Sequence, residues 1–231
     1  MKKLLIFIFF INIFNFQLKA QENKAQDSTI SNKKYYALRV GLDISKPIIG
    51  FTNDEDRTEF EIVADLRFSE KWYAAIELGI SDKNTIEDYL DFTTKGSYFK
   101  LGANFNAYEN WVGMNNEIYI GARYGFALFD QTLNSYTPNV YGTYFEGETI
   151  EDGTTFDGLS AHWVEFIAGM KVETFKNLFL GVSISFNKML STKEPENFSN
   201  LYVPGFNRVF SNDAGIGFNY TISYQIPISK K

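Results

Sequence analysis

Residues 215–226 read GIGFNYTISYQI, and alternate positions of this stretch have opposite character. Ile216, Phe218, Tyr220, Ile222, Tyr224 and Ile226 share one face of an extended chain, while Gly215, Gly217, Asn219, Thr221, Ser223 and Gln225 share the other. A period of two belongs to a β-strand with an apolar medium on one side and a polar one on the other. The same alternation recurs at 35–44, 59–68, 71–80, 97–107, 117–128, 162–172 and 178–187, which gives eight strands with the final one.

The apolar faces run Tyr36 to Ile44, Phe60 to Phe68, Trp72 to Ile80, Phe99 to Ala107, Ile118 to Leu128, Val164 to Val172 and Leu178 to Phe186, each taken at alternate residues. With the last strand these are about 42 positions, where a chain with 22% charged residues would place roughly nine charges. They hold none. The charges collect on the opposite faces: Arg39, Asp43, Glu61, Asp65, Arg67, Glu77, Lys100, Glu117, Arg123, Glu165 and Lys171. Gly41, Gly79, Gly102, Gly121, Gly125, Gly169 and Gly181 fall on those faces too, as suits a narrow lumen shared by long side chains.

A soluble barrel that holds an apolar ligand has the reverse arrangement, and a β-sandwich cannot bury five cations and six anions. Lipid cannot satisfy the open edge of a sheet, so strands of this kind must close on themselves. The fold expected is all-β: an eight-stranded, antiparallel, up-and-down transmembrane β-barrel. Short links follow the second, fourth and sixth strands, at Ser69-Glu70, Asn110 to Asn116 and Phe175-Lys176-Asn177; long ones follow the first, third, fifth and seventh. Short turns on the periplasmic side and long extracellular loops are the usual pattern. Trp111 and Tyr35 are expected at the inner membrane interface, Phe129 and Trp163 at the outer one. A ten-stranded barrel, with an extra hairpin inside 130–158, is the alternative and would suit a small porin-like or transport channel.

Composition agrees. Phe (23) and Tyr (14) are abundant, yet mean hydropathy is −0.20, so apolar residues are interleaved, and no transmembrane helix follows the N-terminus. A net charge of −6 argues against nucleic acid as a partner, which requires a basic face. The absence of Cys excludes disulfides and thiolate metal sites. Residues 1–20 read as a signal peptide: Lys2 and Lys3, the apolar run Leu4 to Phe14, and Leu18-Lys19-Ala20 before a cut at Gln21. Residues 21–34 form a polar periplasmic lead-in, and 35–228 the barrel.

With its exported start, even strand number and alternating turns and loops, the chain resembles small outer-membrane β-barrel proteins of Gram-negative bacteria. The Ala20-Gln21 junction and the Phe/Tyr/Asn-rich composition are similar to uncharacterised outer-membrane barrel families of Bacteroidota. Residues 217–222 (GFNYTI) resemble the C-terminal signal read by the outer-membrane assembly machinery, although Ser229-Lys230-Lys231 stands where an aromatic residue is usual. The resemblance implies a monomer in outer-membrane lipid and lipopolysaccharide, with no cofactor.

The inward charges suit a packed ion-pair network that fills the lumen better than a proton or ion relay, because the signs nearly balance. Ser160, His162 and Glu165 are similar to the Ser/His/acid sets of outer-membrane lipid acyl-transfer enzymes, but strand parity puts Glu165 on the face opposite Ser160 and His162. The acidic loop residues Asp54, Glu55, Asp56, Glu146, Glu148, Glu151, Asp152 and Asp157 lack the spacing of a calcium loop. Asp27-Ser28-Thr29 resembles a short O-glycosylation motif; Asn197-Phe198-Ser199 is a chance match to an N-glycosylation acceptor. Tyr136, Tyr141, Tyr144 and Phe145, in the longest loop, are the candidate surface for an extracellular partner or a plug for the barrel. The role expected is non-catalytic: envelope structure or surface interaction.

Overall fold

The computed structural model describes residues 36–52, 57–109, 115–138, 148–195, 200–210 and 212–228. The elements are β1 (Tyr36–Asp43), α1 (Ser45–Thr52), β2 (Arg57–Arg67), β3 (Trp72–Glu87), β4 (Leu90–Asn106), β5 (Glu117–Tyr136), β6 (Ile150–Phe175), β7 (Leu178–Thr192), β8 (Tyr202–Val203), β9 (Asn207–Arg208) and β10 (Ala214–Ile228). Eight of the strands close into an antiparallel barrel in the order β1-β10-β7-β6-β5-β4-β3-β2, and β8 and β9 form a separate two-stranded hairpin. Closure runs through Tyr36↔Ile228 to Asp43↔Thr221 on one side of β1 and Ala37↔Arg67 to Asp43↔Glu61 on the other.

The strand faces follow the alternation. Ile80 and Leu101 are each 57% exposed and Phe166 64%, whereas Glu61 is fully buried and Lys100 is 4% exposed. Inward glycines sit opposite inward aromatic rings. Gly79 pairs with Tyr98, and a Cβ there would lie 2.2 Å from the ring; Gly125 pairs with Trp163, where the approach would be 2.1 Å. The rings lie flat across the neighbouring glycines, as aromatic residues do when they rescue a Gly in a sheet.

Three expectations need correction. Residues 81–96 are not a long loop: β3 and β4 run on in register to a two-residue turn at Asp88–Tyr89. Above Ile80 polar residues fall on both faces of the strands, which blurs the alternation but not the backbone pairing. That pairing is supported by an Asp82–Lys95 ion pair of 2.9 Å and by Asn134 Nδ2, which donates to Asp91 and Thr93. Among the described residues, 130–138 and 148–158 add no extra strands to the barrel, because Gln131↔Phe156 and Thr132↔Thr155 continue the pairing of β5 with β6. Phe129 and Trp163 do not face an interface; both point inward and are buried. Between the closed ends Phe175–Leu178, Asn177 takes the left-handed conformation (φ 66°) that a tight two-residue turn requires.

β1 is the shortest wall strand, and its end breaks the symmetry of the barrel. Beyond its last residue, Asp43, β2 and β10 continue with the outward apolar residues Phe60, Ile216, Phe218 and Tyr220. The wall between them is supplied by α1. Ile44 N donates to Tyr220 O (2.7 Å), and Ser45 N and Oγ both donate to Asp43 Oδ1 (2.8 and 2.7 Å), an Asx-type turn that directs the chain out of the strand.

Candidate functional site

The lumen has two parts. Toward the short-turn end it is a network of ion pairs. Arg39 from β1 donates through Nε to Asp65 (2.6 Å) and contacts Glu117 at 2.6 Å, with its guanidinium over the Tyr73 ring at 4.7 Å. Lys171 reaches the other oxygen of Asp65. Above them Lys100 lies between three carboxylates, Glu77 (3.1 Å), Glu61 (3.3 Å) and Glu165 (3.6 Å), and Arg123 pairs with Glu77 at 3.1 Å. Tyr98 and Asn219 donate to Glu61, and Trp163 Nε1 donates to Glu165 at 2.7 Å. Each of these buried charges therefore faces an opposite one, and Glu61 and Glu165 also accept hydrogen bonds from neutral donors, which offsets the cost of holding charges away from water. An internal cavity of about 30 Å³ remains among Asp65, Glu77, Arg123, Glu165 and Lys171, room for about one water rather than a passage.

Two of the eleven inward charges are used differently. Asp43 turns the chain into α1, and Arg67, half-buried at the turn end, caps the carbonyls of Ser69 and Glu70. Sequence reading missed three charges at the loop end. Glu59, Lys46 and Arg57 meet there: Arg57 donates to Glu59 at 2.6 Å, Lys46 Nζ lies 3.8 Å from it, and Ser81 Oγ donates to it at 2.7 Å. Glu59 was legible, since its parity is that of Glu61; Lys46 was not, because α1 delivers it.

Toward the loop end the β4–β7 side of the interior turns apolar, across from the Glu59 cluster. Tyr98, Phe129, Leu159, Trp163 and Met189 from the wall pack around Val203 and Phe206. Those two belong to the β8–β9 hairpin, which folds into the barrel mouth; Trp163 and Phe206 meet edge to face at 5.9 Å. Gln131 Nε2 donates to Tyr202 O and Asn187 Nδ2 to Phe206 O, both at 3.3 Å. The Tyr202 hydroxyl donates to Glu59. Burial, and then the Glu59 carboxylate beside it, push the Tyr202 phenol well above its ordinary range, so it remains a neutral donor. Leu201 to Phe206 (LYVPGF) is the most apolar stretch between β7 and β10, and that composition in a loop was the available signal.

His162 is on the outer face, where Nδ1 lies 2.6 Å from the Tyr124 hydroxyl, while Glu165 is inside the lumen. The Ser160, His162 and Glu165 set is thus not brought together. Tyr136 ends β5, half-buried. Tyr141, Tyr144 and Phe145 lie outside the described residues, as do Trp111, Asp54, Glu55, Asp56, Glu146 and the signal and lead-in segments. Among the described residues no group of three or more His, Cys, Asp or Glu side chains is arranged to hold a metal ion.

A family model described as a domain of unknown function, DUF6048, matches residues 1–231. The chain belongs to this family. No curated protein matches the DUF6048 chain. Among solved structures it is similar to Ail, the attachment invasion locus protein of Yersinia pestis, at 12% identity over 83% of this chain and 97% of that one, with a TM-score of 0.36. It is also similar to Neisserial surface protein A, NspA, at 10% identity over 84% and 96% of the two chains, with a TM-score of 0.41.

Proposed function

We propose that this DUF6048 protein is an integral outer-membrane β-barrel, monomeric and non-catalytic, that contributes to the envelope and presents its loop end to the outside. One observation carries the reading: burial is inverted. Large apolar side chains are exposed around the wall while charged ones are enclosed. In water that arrangement would expose an apolar surface far larger than a soluble monomer tolerates; in a bilayer it is the stable one. Lipid and lipopolysaccharide then cover the belt, and the last strand supplies the signal to the assembly machinery. The paired, filled lumen supports a closed barrel over a porin-like channel.

The test is a Tyr89→Cys variant, in a chain that has no other cysteine, treated on intact Gram-negative cells with a membrane-impermeant maleimide. Labelling, together with heat-dependent gel migration of the same sample, is expected. A soluble, heat-insensitive protein would overturn the membrane reading. Stepwise conductance of the purified barrel in planar bilayers would instead overturn the closed lumen.

A further inference from the structure

We infer that the middle of the lumen holds one monovalent cation of about the size of Na⁺, bound between β6, β7 and β10 with Glu165 as its anionic ligand; this rests on the closed lumen and not on the membrane around it. Charge is the first observation. In this layer the carboxylates of Glu61, Asp65, Glu77, Glu117 and Glu165 face only four cations, Arg39, Lys100, Arg123 and Lys171. Charged side chains nearer the ends are engaged there, Lys46 and Arg57 with Glu59, and Arg67 with the carbonyls of Ser69 and Glu70. One negative charge is therefore left over away from water, where an uncompensated charge is costly.

Second, the contacts locate that charge. Both oxygens of Asp65 are taken by Arg39 and Lys171, and both of Glu77 by Arg123 and Lys100. Glu165 is held at one oxygen only. Trp163 Nε1 donates to Oε1 at 2.7 Å, and Lys100, which also serves Glu61 and Glu77, is nearest the same atom at 3.6 Å. Glu165 is 1% exposed, and its Oε2 is left to the internal cavity of about 30 Å³ that the residue lines.

Third, the same cavity is lined by neutral oxygens. Ser185, 8% exposed, has no hydrogen-bond partner for its hydroxyl among the described residues. Its Oγ leans over Gly217, where a Cβ would lie 2.3 Å away, and the Thr221 hydroxyl leans over Gly181 in the same manner, at 2.4 Å. Asn219 spends Nδ2 on Glu61, so the atom it has left to offer is an oxygen. One carboxylate oxygen among neutral ones suits a hard cation, and a volume that admits about one water admits an ion of that size. A single positive charge closes the balance. A divalent ion would overshoot it, and among the described residues no three acidic side chains converge to hold one. Arg123 and Lys171 also border the cavity, but their charges are directed to Glu77 and Asp65.

The test follows the urea midpoint of the chain folded in vesicles as Na⁺ replaces tetramethylammonium, an ion too large for the cavity, at constant ionic strength and pH. The midpoint is expected to rise with the logarithm of Na⁺ concentration, as binding to the folded state alone requires. Ser185→Ala removes a neutral ligand and should move that rise to about tenfold higher Na⁺. Glu165→Gln should abolish the rise and still fold, because Lys100 keeps Glu61 and Glu77 and the amide oxygen can accept from Trp163. A wild-type midpoint indifferent to Na⁺ would overturn the cation. If that midpoint falls instead as pH is raised, and Glu165→Gln removes the fall, a proton supplies the missing charge; if it responds to neither, the cavity holds water. A rise that survives unchanged in Glu165→Gln or Ser185→Ala would place the ion elsewhere and overturn the site. Failure of the closed lumen is read separately, as stepwise conductance in planar bilayers.

Discussion

At the turn end and centre of the lumen, Arg39, Lys100, Arg123 and Lys171 come from wall strands and meet carboxylates of other wall strands. At the loop end Arg57 and Ser81 still meet Glu59 within the wall, but the apolar core there is completed by an inserted hairpin. The same eight strands are thus stitched across their interior in one half and stoppered in the other. Cross-strand ion pairs couple the lower interior to the integrity of the barrel; the stopper couples the upper interior to a loop.

The largest expected effect breaks the stitched half. Asp65→Asn leaves both Arg39 and Lys171 short of a buried counter-charge, and removing one partner of such a pair costs about 3–5 kcal/mol; the midpoint of urea unfolding in vesicles, followed by heat-modifiable migration, measures it. Gly125→Ala comes next, because the new Cβ would meet the Trp163 ring at 2.1 Å. The crowding should cost about 1–3 kcal/mol in the same assay, and a loss under half of that would mean the ring has room to move. Phe206→Ala sharpens the contrast. It should leave the barrel midpoint within about 1 kcal/mol, as expected for a locally stable unit, yet speed protease cleavage between β7 and β10. A midpoint that fell as far as for Asp65→Asn would show the stopper to be part of the frame. Lys95→Ala, on an exposed pair with Asp82, should change the midpoint by less than about 0.5 kcal/mol.

Legibility in the sequence follows the same division. Wherever a strand separates lipid from lumen, the two environments write opposite residue types on alternate positions, so strand number, phase and the inward side of Lys100 or Glu165 can be read directly. Beyond Ile80 and Leu128 polar residues fall on both faces, Asp82 and Lys95 outward and Ser81, Thr94 and Gln131 inward, and the reading mistakes paired strands for loops. The stopper is hidden for the opposite reason: LYVPGF has the composition of a core but neither the length nor the period of an element, and only the closed barrel around it reveals which side it faces. Trp163 misleads because an aromatic residue near a strand end suits an interface as well as an interior; its pairing with Gly125 decides the matter.

The end of β1 also bears on how the molecule is made. The strand that closes the barrel is its shortest, 8 residues, and its partner in closure, β10, follows every other barrel strand in the sequence: Tyr36 pairs with Ile228, 192 residues further on. The cylinder cannot close before β10 is present, because the seam lacks one lip until then. Loop-closure entropy is then met in a single late event, and the lip that is zipped last has the fewest residues to zip. Any catalyst of assembly would act at that seam, with the growing sheet held open there until β1 and β10 meet.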